Sequence, residues 1–548
     1  MLILISIPCE AIYLRWGLLG DGLEGFSPFI FPKSDVFSMT NSIWESLYTY
    51  APETFEYIPW MADGIYQMDL ENKTCVVSLK KGIKWSDGKP VTANDIVFTA
   101  NVIINLKIPG YYRYFEFVKS VKKIDTYTVL YTLKEIRSTF VFGTLMQMII
   151  PEHIWKPVVQ KAAESKEPQK FLLAYKPSID MMVGDGMFIP KEWVKGDHIL
   201  FVANPNYFAR GWQVKGRNKK YIVGPYVDGI YYKVYKDIDT AILDMQRGEL
   251  DYIQSYIPPD RLPLLFLDQN VVLTELPENG ICYLSWNLRK KPFSDEKFRK
   301  ALTYLIDKPY IQSKILRNMG TWLSTVVPPC NTYWHDPLTM DYGNKIGMNE
   351  GKRLAKAREI LVSAGYYWDE NEKLYYKDGT SVKPFSILIP SVNFDPVRTT
   401  VGILIQRWWK KIGLSINLIP ISPSDIMDKV FVERNFDCWI SIWRLTLFPD
   451  YLRTLFVSEE DTPGGSNPEG YHDEAFDKEA NLFVQTLDMS RARKICFDLQ
   501  EKIQDTLPYV PLYVRTIVEV HSKRSMGWIE QLNGIGNKWS LAFLKLAY

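Results

Sequence analysis

The chain has 548 residues, 47% hydrophobic and 23% charged, with 65 basic and 63 acidic side chains and a formal net charge of +2. That balance fits a large globular protein with core enough for several lobes, and it gives no electrostatic basis for binding nucleic acid or an anionic membrane surface. The six Cys form no CxxC pair and the five His fall in no HExxH-like spacing, so no metal, dithiol centre or cofactor is expected.

Residues 1–11 open on Met1-Leu-Ile-Leu-Ile-Ser-Ile7 and then Pro8-Cys9-Glu10-Ala11. This resembles the end of an apolar export segment without its basic start, so a signal-peptide remnant is expected, the alternative being a first buried strand. Ser6-Ile7-Pro8 is a poor lipidation context for Cys9. No internal apolar run approaches the ~20 residues needed to span a bilayer.

Leu14–Leu18 reads as a strand, and Thr40 to Leu47 as a helix. Residues 75–79 form a strand leading to Asp87-Gly88, a pair suited to a tight turn. Thr92 caps the next helix, with Asp95 as the reciprocal acid. Residues 124–133, β-branched and aromatic, read as a strand after a turn. The basic stretch Lys215–Lys220 reads as a solvated loop. A long helix is expected from Ser294 to about Leu316, with Phe298, Ala301, Leu302, Leu305 and Ile306 as its apolar stripe.

The richest stretch is 384–446. A strand at Phe385–Ile389 precedes a helix capped by Asp395, with Pro396 in its first turn. Val397, Val401, Leu404, Ile405, Trp408 and Ile412 share one face, and Gly413 follows at the C-terminal cap position. A strand at Leu414–Ile419, a helix from Ser424 to about Arg434 and a strand at Phe436–Trp443 complete a βαβαβ pattern, which predicts a parallel sheet with right-handed crossovers. Open α/β sheets bind ligands beyond the carboxyl ends of their strands, and here that edge is Trp443-Arg444-Leu445-Thr446.

Several segments resemble the family 5 extracellular solute-binding proteins. The first is Lys81-Gly-Ile-Lys-Trp-Ser-Asp-Gly-Lys-Pro90 with the helix start that follows. Val183-Gly-Asp-Gly-Met-Phe188, Asn204-Pro-Asn-Tyr-Phe208, Met245-Gln-Arg-Gly-Glu-Leu-Asp251, the run from Asn287 to Leu305, and Val327-Pro-Pro329 come next, in the family's order. The match runs from about residue 14 to the end. It implies a type II periplasmic-binding-protein-like α/β fold, with two main lobes joined by a hinge and an inserted third domain. Lobe I would take 12–43, 180–278 and 505–548, the insert 44–179, and lobe III 279–504. It also implies a periplasmic or extracellular receptor, acting as a monomer, that captures a solute in an interlobe cleft and delivers it to the permease subunits of an ABC importer. The chain carries no Walker A pattern of its own.

Peptide-binding relatives place an Asp three residues after the Trp that ends the third strand, and some place an Arg three residues before it. By that resemblance Trp443 holds the Trp position, Thr446 the Asp position and Ile440 the Arg position. Both departures remove charge that a zwitterionic peptide needs, since an unpaired buried ion costs on the order of several kcal/mol. The ligand expected first is therefore a neutral oligosaccharide, with a peptide as the alternative. The candidate contacts are Trp443 at the strand exit, and Trp439 on the same face unless it is a core ring. Arg444 could hold an anionic group, bridge to Asp450 or face solvent, and Thr446 could touch ligand or support its loop. Asn287 could satisfy backbone or set specificity, and Trp44 lies near the first cleft segment. No catalytic residue is assigned. A secreted glycosidase would need two carboxylates ~5–10 Å apart across a cleft, and nothing localises such a pair.

Overall fold

The computed structural model describes residues 11–547, apart from 20–24, 31–33, 55, 255–256, 258–260, 345–347, 393 and 533. The expectations for residues 1–10, Cys9 included, lie outside this range. Among the described residues no helix is long and apolar enough to cross a membrane. Contacts divide the chain into two units, 1–276 with 518–548, and 277–517; the expected limits of lobe III are 278/279 and 504/505.

In unit 1, strand β1 (Tyr13–Leu19) pairs in parallel with β2 (Gly229–Tyr235) on one side and with Tyr252–Gln254 on the other. Two antiparallel strands, His198–Ala203 and Phe188–Val194, extend the sheet past β2. A separate four-stranded antiparallel sheet lies within 67–133. The strand expected over 124–133 is present as Thr128–Leu133, but it starts later than expected, because the chain reverses at Thr126-Tyr127 to pair it with Val118–Asp125. Helix α1 (Ala93–Leu106) starts on the predicted capping box, with Thr92 N–H donating to Asp95 Oδ2 at 2.9 Å.

The helix expected over 40–47 lies instead at Ser34–Ile43. Its end is set by a close approach of the Val183-Gly-Asp-Gly segment: a Cβ at Gly184 would stand 2.0 Å from the Ile43 carbonyl oxygen, and one at Gly186 2.1 Å from that of Ser42. Only glycine admits this contact. Between the two glycines, the Asp185 Oδ1 accepts from Glu45 N–H at 2.9 Å. Glu45 in turn accepts from the Tyr207 hydroxyl at 2.9 Å and is ion-paired with Lys538. Asp251 is fully buried and held by Arg15 and Arg524.

Unit 2 contains β3 (Gly280–Trp286), α2 (Glu296–Leu305), α3 (Glu350–Ser363), β4 (Phe385–Pro390), α4 (Pro396–Lys410), β5 (Ile416–Ile421), β6 (Cys438–Arg444) and the first part of β7 (Tyr509–Ser522). Its strand order is β5-β4-β6-β3-β7. As the βαβαβ pattern predicts, β4 is parallel to both β5 and β6. β3 is antiparallel to β6 and β7, so the sheet is mixed. From residue 518, β7 belongs to unit 1, where Val520 and His521 pair with Ile253 and Tyr252.

The α4 cap is as expected: Asp395 accepts from Arg398 N–H at 3.0 Å. Gly413 sits at φ +80°, where a Cβ would lie 1.9 Å from the Glu372 carbonyl oxygen. The buried stripe differs. Val401, Ile405, Trp409 and Ile412 are fully buried, whereas Leu404 and Trp408 are only half-buried. Trp409 stacks on Trp286 with centroids 5.7 Å apart and donates to the Leu302 carbonyl at 3.0 Å. The long helix expected over 294–316 breaks after α2, and the chain restarts at Asp307, whose side chain caps Tyr310 N–H at 3.0 Å. The break falls at Ile306, which is extended, and Pro309 then sits in the first turn of the new segment, where its missing N–H costs nothing.

Candidate functional site

Side chains alternate across a strand, and directly opposed residues share a face. In the β3–β6 register, Ile281, Tyr283 and Ser285 oppose Trp443, Ser441 and Trp439, and Ser285 also opposes Tyr509 of β7. One face of the sheet therefore carries Trp439, Trp443, Tyr283 and Tyr509. The other carries Cys438, Ile440, Cys282 and Leu284, packed into the core with α2 and α4.

The first face is an aromatic cluster. Tyr283 and Tyr509 stack with centroids 4.1 Å apart and planes 7° apart, and Trp443 lies parallel to Tyr283 at 6.4 Å. Trp439 meets Tyr283 edge-on at 5.5 Å, and Phe431 closes against both Trp439 and Trp443. The Trp443 indole N–H points to the Tyr509 hydroxyl oxygen at 3.4 Å. Within this cluster lies Glu469, 1% exposed. Its Oε1 accepts from Ser285 Oγ at 2.8 Å and Trp439 Nε1 at 3.1 Å. Its Oε2 is buried with no hydrogen-bond partner among the described residues. Burial pushes this carboxyl up to about 7, against the Ser285 and Trp439 hydrogen bonds, which favour the ionised form.

Beyond β6 the chain turns outward. Arg444 is largely exposed, with Nε 3.5 Å from Glu278 Oε1. Thr446 is exposed, and its hydroxyl lies 2.7 Å from both the Phe448 carbonyl oxygen and Asp450 Oδ1. Asn279 Nδ2 holds the Leu445 carbonyl at 2.8 Å, fixing where the strand ends. Thus Trp443, Arg444 and Thr446 do lie together at the carboxyl edge of the unit 2 sheet.

The other three candidates are interior groups. Trp439 is 1% exposed and spends its N–H on Glu469. Asn287 is 2% exposed, and its Nδ2 donates to the Arg434 and Phe436 carbonyls at 3.1 and 3.2 Å, which places it as a backbone-satisfying residue. Trp44 is 1% exposed in unit 1, with its indole N–H on the Val183 carbonyl at 3.0 Å and its ring against Trp155. Buried N–H groups are retained when they are satisfied, and those of all three side chains are bonded.

Sequence reasoning missed Asp450, Tyr283, Tyr509 and Glu469. In sequence Asp450 offers itself only as a partner for Arg444, four residues past Thr446. The other three reach the cluster from distant parts of the chain, and no local spacing announces them. Among the described residues no group of His, Cys, Asp or Glu could hold a metal ion.

The family model described as bacterial extracellular solute-binding proteins, family 5 Middle, matches residues 56–462. The chain is 29% identical over 440 residues to the oligopeptide-binding protein AppA of Bacillus subtilis (strain 168), covering 80% of this chain and 74% of AppA. It is 25% identical over 415 residues to the dipeptide-binding protein of Escherichia coli (strain K12), covering 72% and 69%. Its fold is similar to that of B. subtilis AppA in complex with a nonapeptide, with a TM-score of 0.73, 24% identity and coverage of 98% and 99%. It is also similar to a periplasmic oligopeptide-binding protein of Thermotoga maritima, with a TM-score of 0.78, 20% identity and the same coverage. The chain belongs to the family 5 bacterial extracellular solute-binding proteins and has their type II periplasmic-binding-protein fold.

Proposed function

We propose that this protein is the monomeric substrate-binding component of an ABC importer, and that the solute it captures outside the cytoplasmic membrane and hands on to permease subunits is a peptide. The observation that carries this reading is the similarity to AppA over four-fifths of the chain. The oligosaccharide expectation is set aside, because the relatives named above bind oligopeptides or dipeptides by their names. It rested on the missing acid at Thr446, yet Asp450 Oδ1 stands 2.7 Å from the Thr446 hydroxyl. In this reading Asp450 takes the peptide's ammonium group, Thr446 orients that carboxylate, and Trp443 offers a flat contact for an adjacent side chain.

Calorimetric titration with tri- to nonapeptides tests it, comparing free with acetylated amino termini. Asp450→Asn should weaken free-terminus peptides by about tenfold, near 1.4 kcal/mol, and leave acetylated ones unchanged. Equal losses for both, or binding of maltooligosaccharides but no peptide, refutes the assignment.

A further inference from the structure

Trp408, half-buried on α4, lines a pocket of about 160 Å³ in unit 2. The pocket is built from the C-terminal part of α4, the segment after α2 and the first turn of α3. Because α4 runs back from the carboxyl end of β4 to the start of β5, this part of the helix lies toward the amino edge of the sheet, opposite the edge that holds Trp443. Tyr310 meets Trp408 edge to face at 6.3 Å and 87°, giving the pocket an aromatic wall.

Its charges are unequal. Asp307 is paired with Arg353 and Glu350 with Lys411, so both acids already have a cation. Arg407, exposed on the rim, has no hydrogen bond or ion pair among the described residues. Arg353 is 3% exposed. Its Nη1 donates to the Ile306 carbonyl at 3.2 Å and its Nη2 to Asp307 at 3.3 Å, but its buried Nε–H has no acceptor. An anion supplies the counter-charge that Arg407 lacks, and planar carboxylates match a guanidinium best. The volume admits one ring, since a cavity of roughly 150 Å³ holds benzene.

We propose that this pocket binds a small aromatic carboxylate, its ring against Trp408 and Tyr310 and its carboxylate beside Arg407. Such a site is separate from solute capture at the opposite edge of the sheet and does not depend on the peptide reading.

Sodium benzoate is the probe, titrated into the full chain and followed by saturation-transfer NMR and tryptophan fluorescence, with benzyl alcohol as the neutral analogue. Saturable binding in the millimolar range is expected for so small a ligand, at least tenfold weaker for benzyl alcohol and for Arg407→Ala, and lost in Trp408→Ala. Arg407 is exposed and Trp408 half-buried, so these variants fold, which circular dichroism checks. The proposal is overturned by an absence of saturation up to about 50 mM benzoate, by benzyl alcohol binding as tightly as benzoate, or by either variant binding as the parent does.

Discussion

Replacing Glu469 with Gln tests the electrostatics of the aromatic cluster directly. Gln can keep both existing hydrogen bonds, with its carbonyl oxygen accepting from Ser285 Oγ and Trp439 Nε1 as Oε1 does now. Its amide then takes the place of the unpartnered Oε2, so packing is unchanged and only the titration is removed. The folded carboxyl is raised to about 7 from an ordinary value of 4.5, so the native state binds this proton more tightly than the unfolded chain. The wild type therefore suffers no ionisation penalty below pH 4.5, loses stability as pH rises from 4.5 to 7, and carries the full penalty above 7. Linkage between these two values gives ~2.5 kcal/mol between pH 5 and pH 8, at 1.36 kcal/mol per pKa unit. Other buried acids titrate in both proteins, so the quantity to measure is the difference between variant and parent. In urea denaturation, Glu469→Gln should gain about 2.5 kcal/mol on the parent from pH 5 to pH 8. A difference that stays flat over that range, or falls, shows that Glu469 is ionised in the native state and that the burial argument is wrong.

Lys538→Met should destabilise unit 1 by about 3–5 kcal/mol, because it strands the buried Glu45 carboxylate beside Asp185; adding Glu45→Gln should restore much of the loss in the same denaturation assay. Gly186→Ala should cost about 3 kcal/mol or more in thermal unfolding, since its Cβ must displace the Ser42 carbonyl. Trp409→Ala should cost about 3–5 kcal/mol, whereas Trp408→Ala, on the rim of its pocket, should cost under about 1 kcal/mol. Equal losses at 408 and 409 would mean the α4 stripe is misassigned.

The α/β core of unit 2 was legible because each signal there is local. The Asp395 cap, the Pro396 first turn and Gly413 mark the ends of α4, and apolar runs on either side leave only a parallel crossover. The errors are also local in origin. Leu404 and Trp408 satisfy helical spacing as well as Ile405 and Trp409 do, so periodicity alone does not fix the stripe's rotation. What fixes it is Trp286 and the Leu302 carbonyl, on elements more than a hundred residues earlier in the chain. In the 294–316 stretch the apolar pattern runs smoothly into Ile306, and the restart is marked only by Asp307 and Pro309, a cap and a first-turn proline.

At the candidate site the legible part is the strand exit, since β6 ends where its pattern says and brings Trp443, Arg444 and Thr446 with it. The illegible part is what faces them. Thr446 lacks a charge, but an ammonium group responds to where negative charge lies in space and not to its place in the sequence. The turn after β6, held by Asn279 on the Leu445 carbonyl and by the Thr446 hydroxyl within reach of the Phe448 carbonyl, returns Asp450 to 2.7 Å from Thr446. In the proposed peptide reading, a four-residue displacement along the chain becomes one hydrogen bond in space, and Asp450 supplies the negative charge that Thr446 lacks.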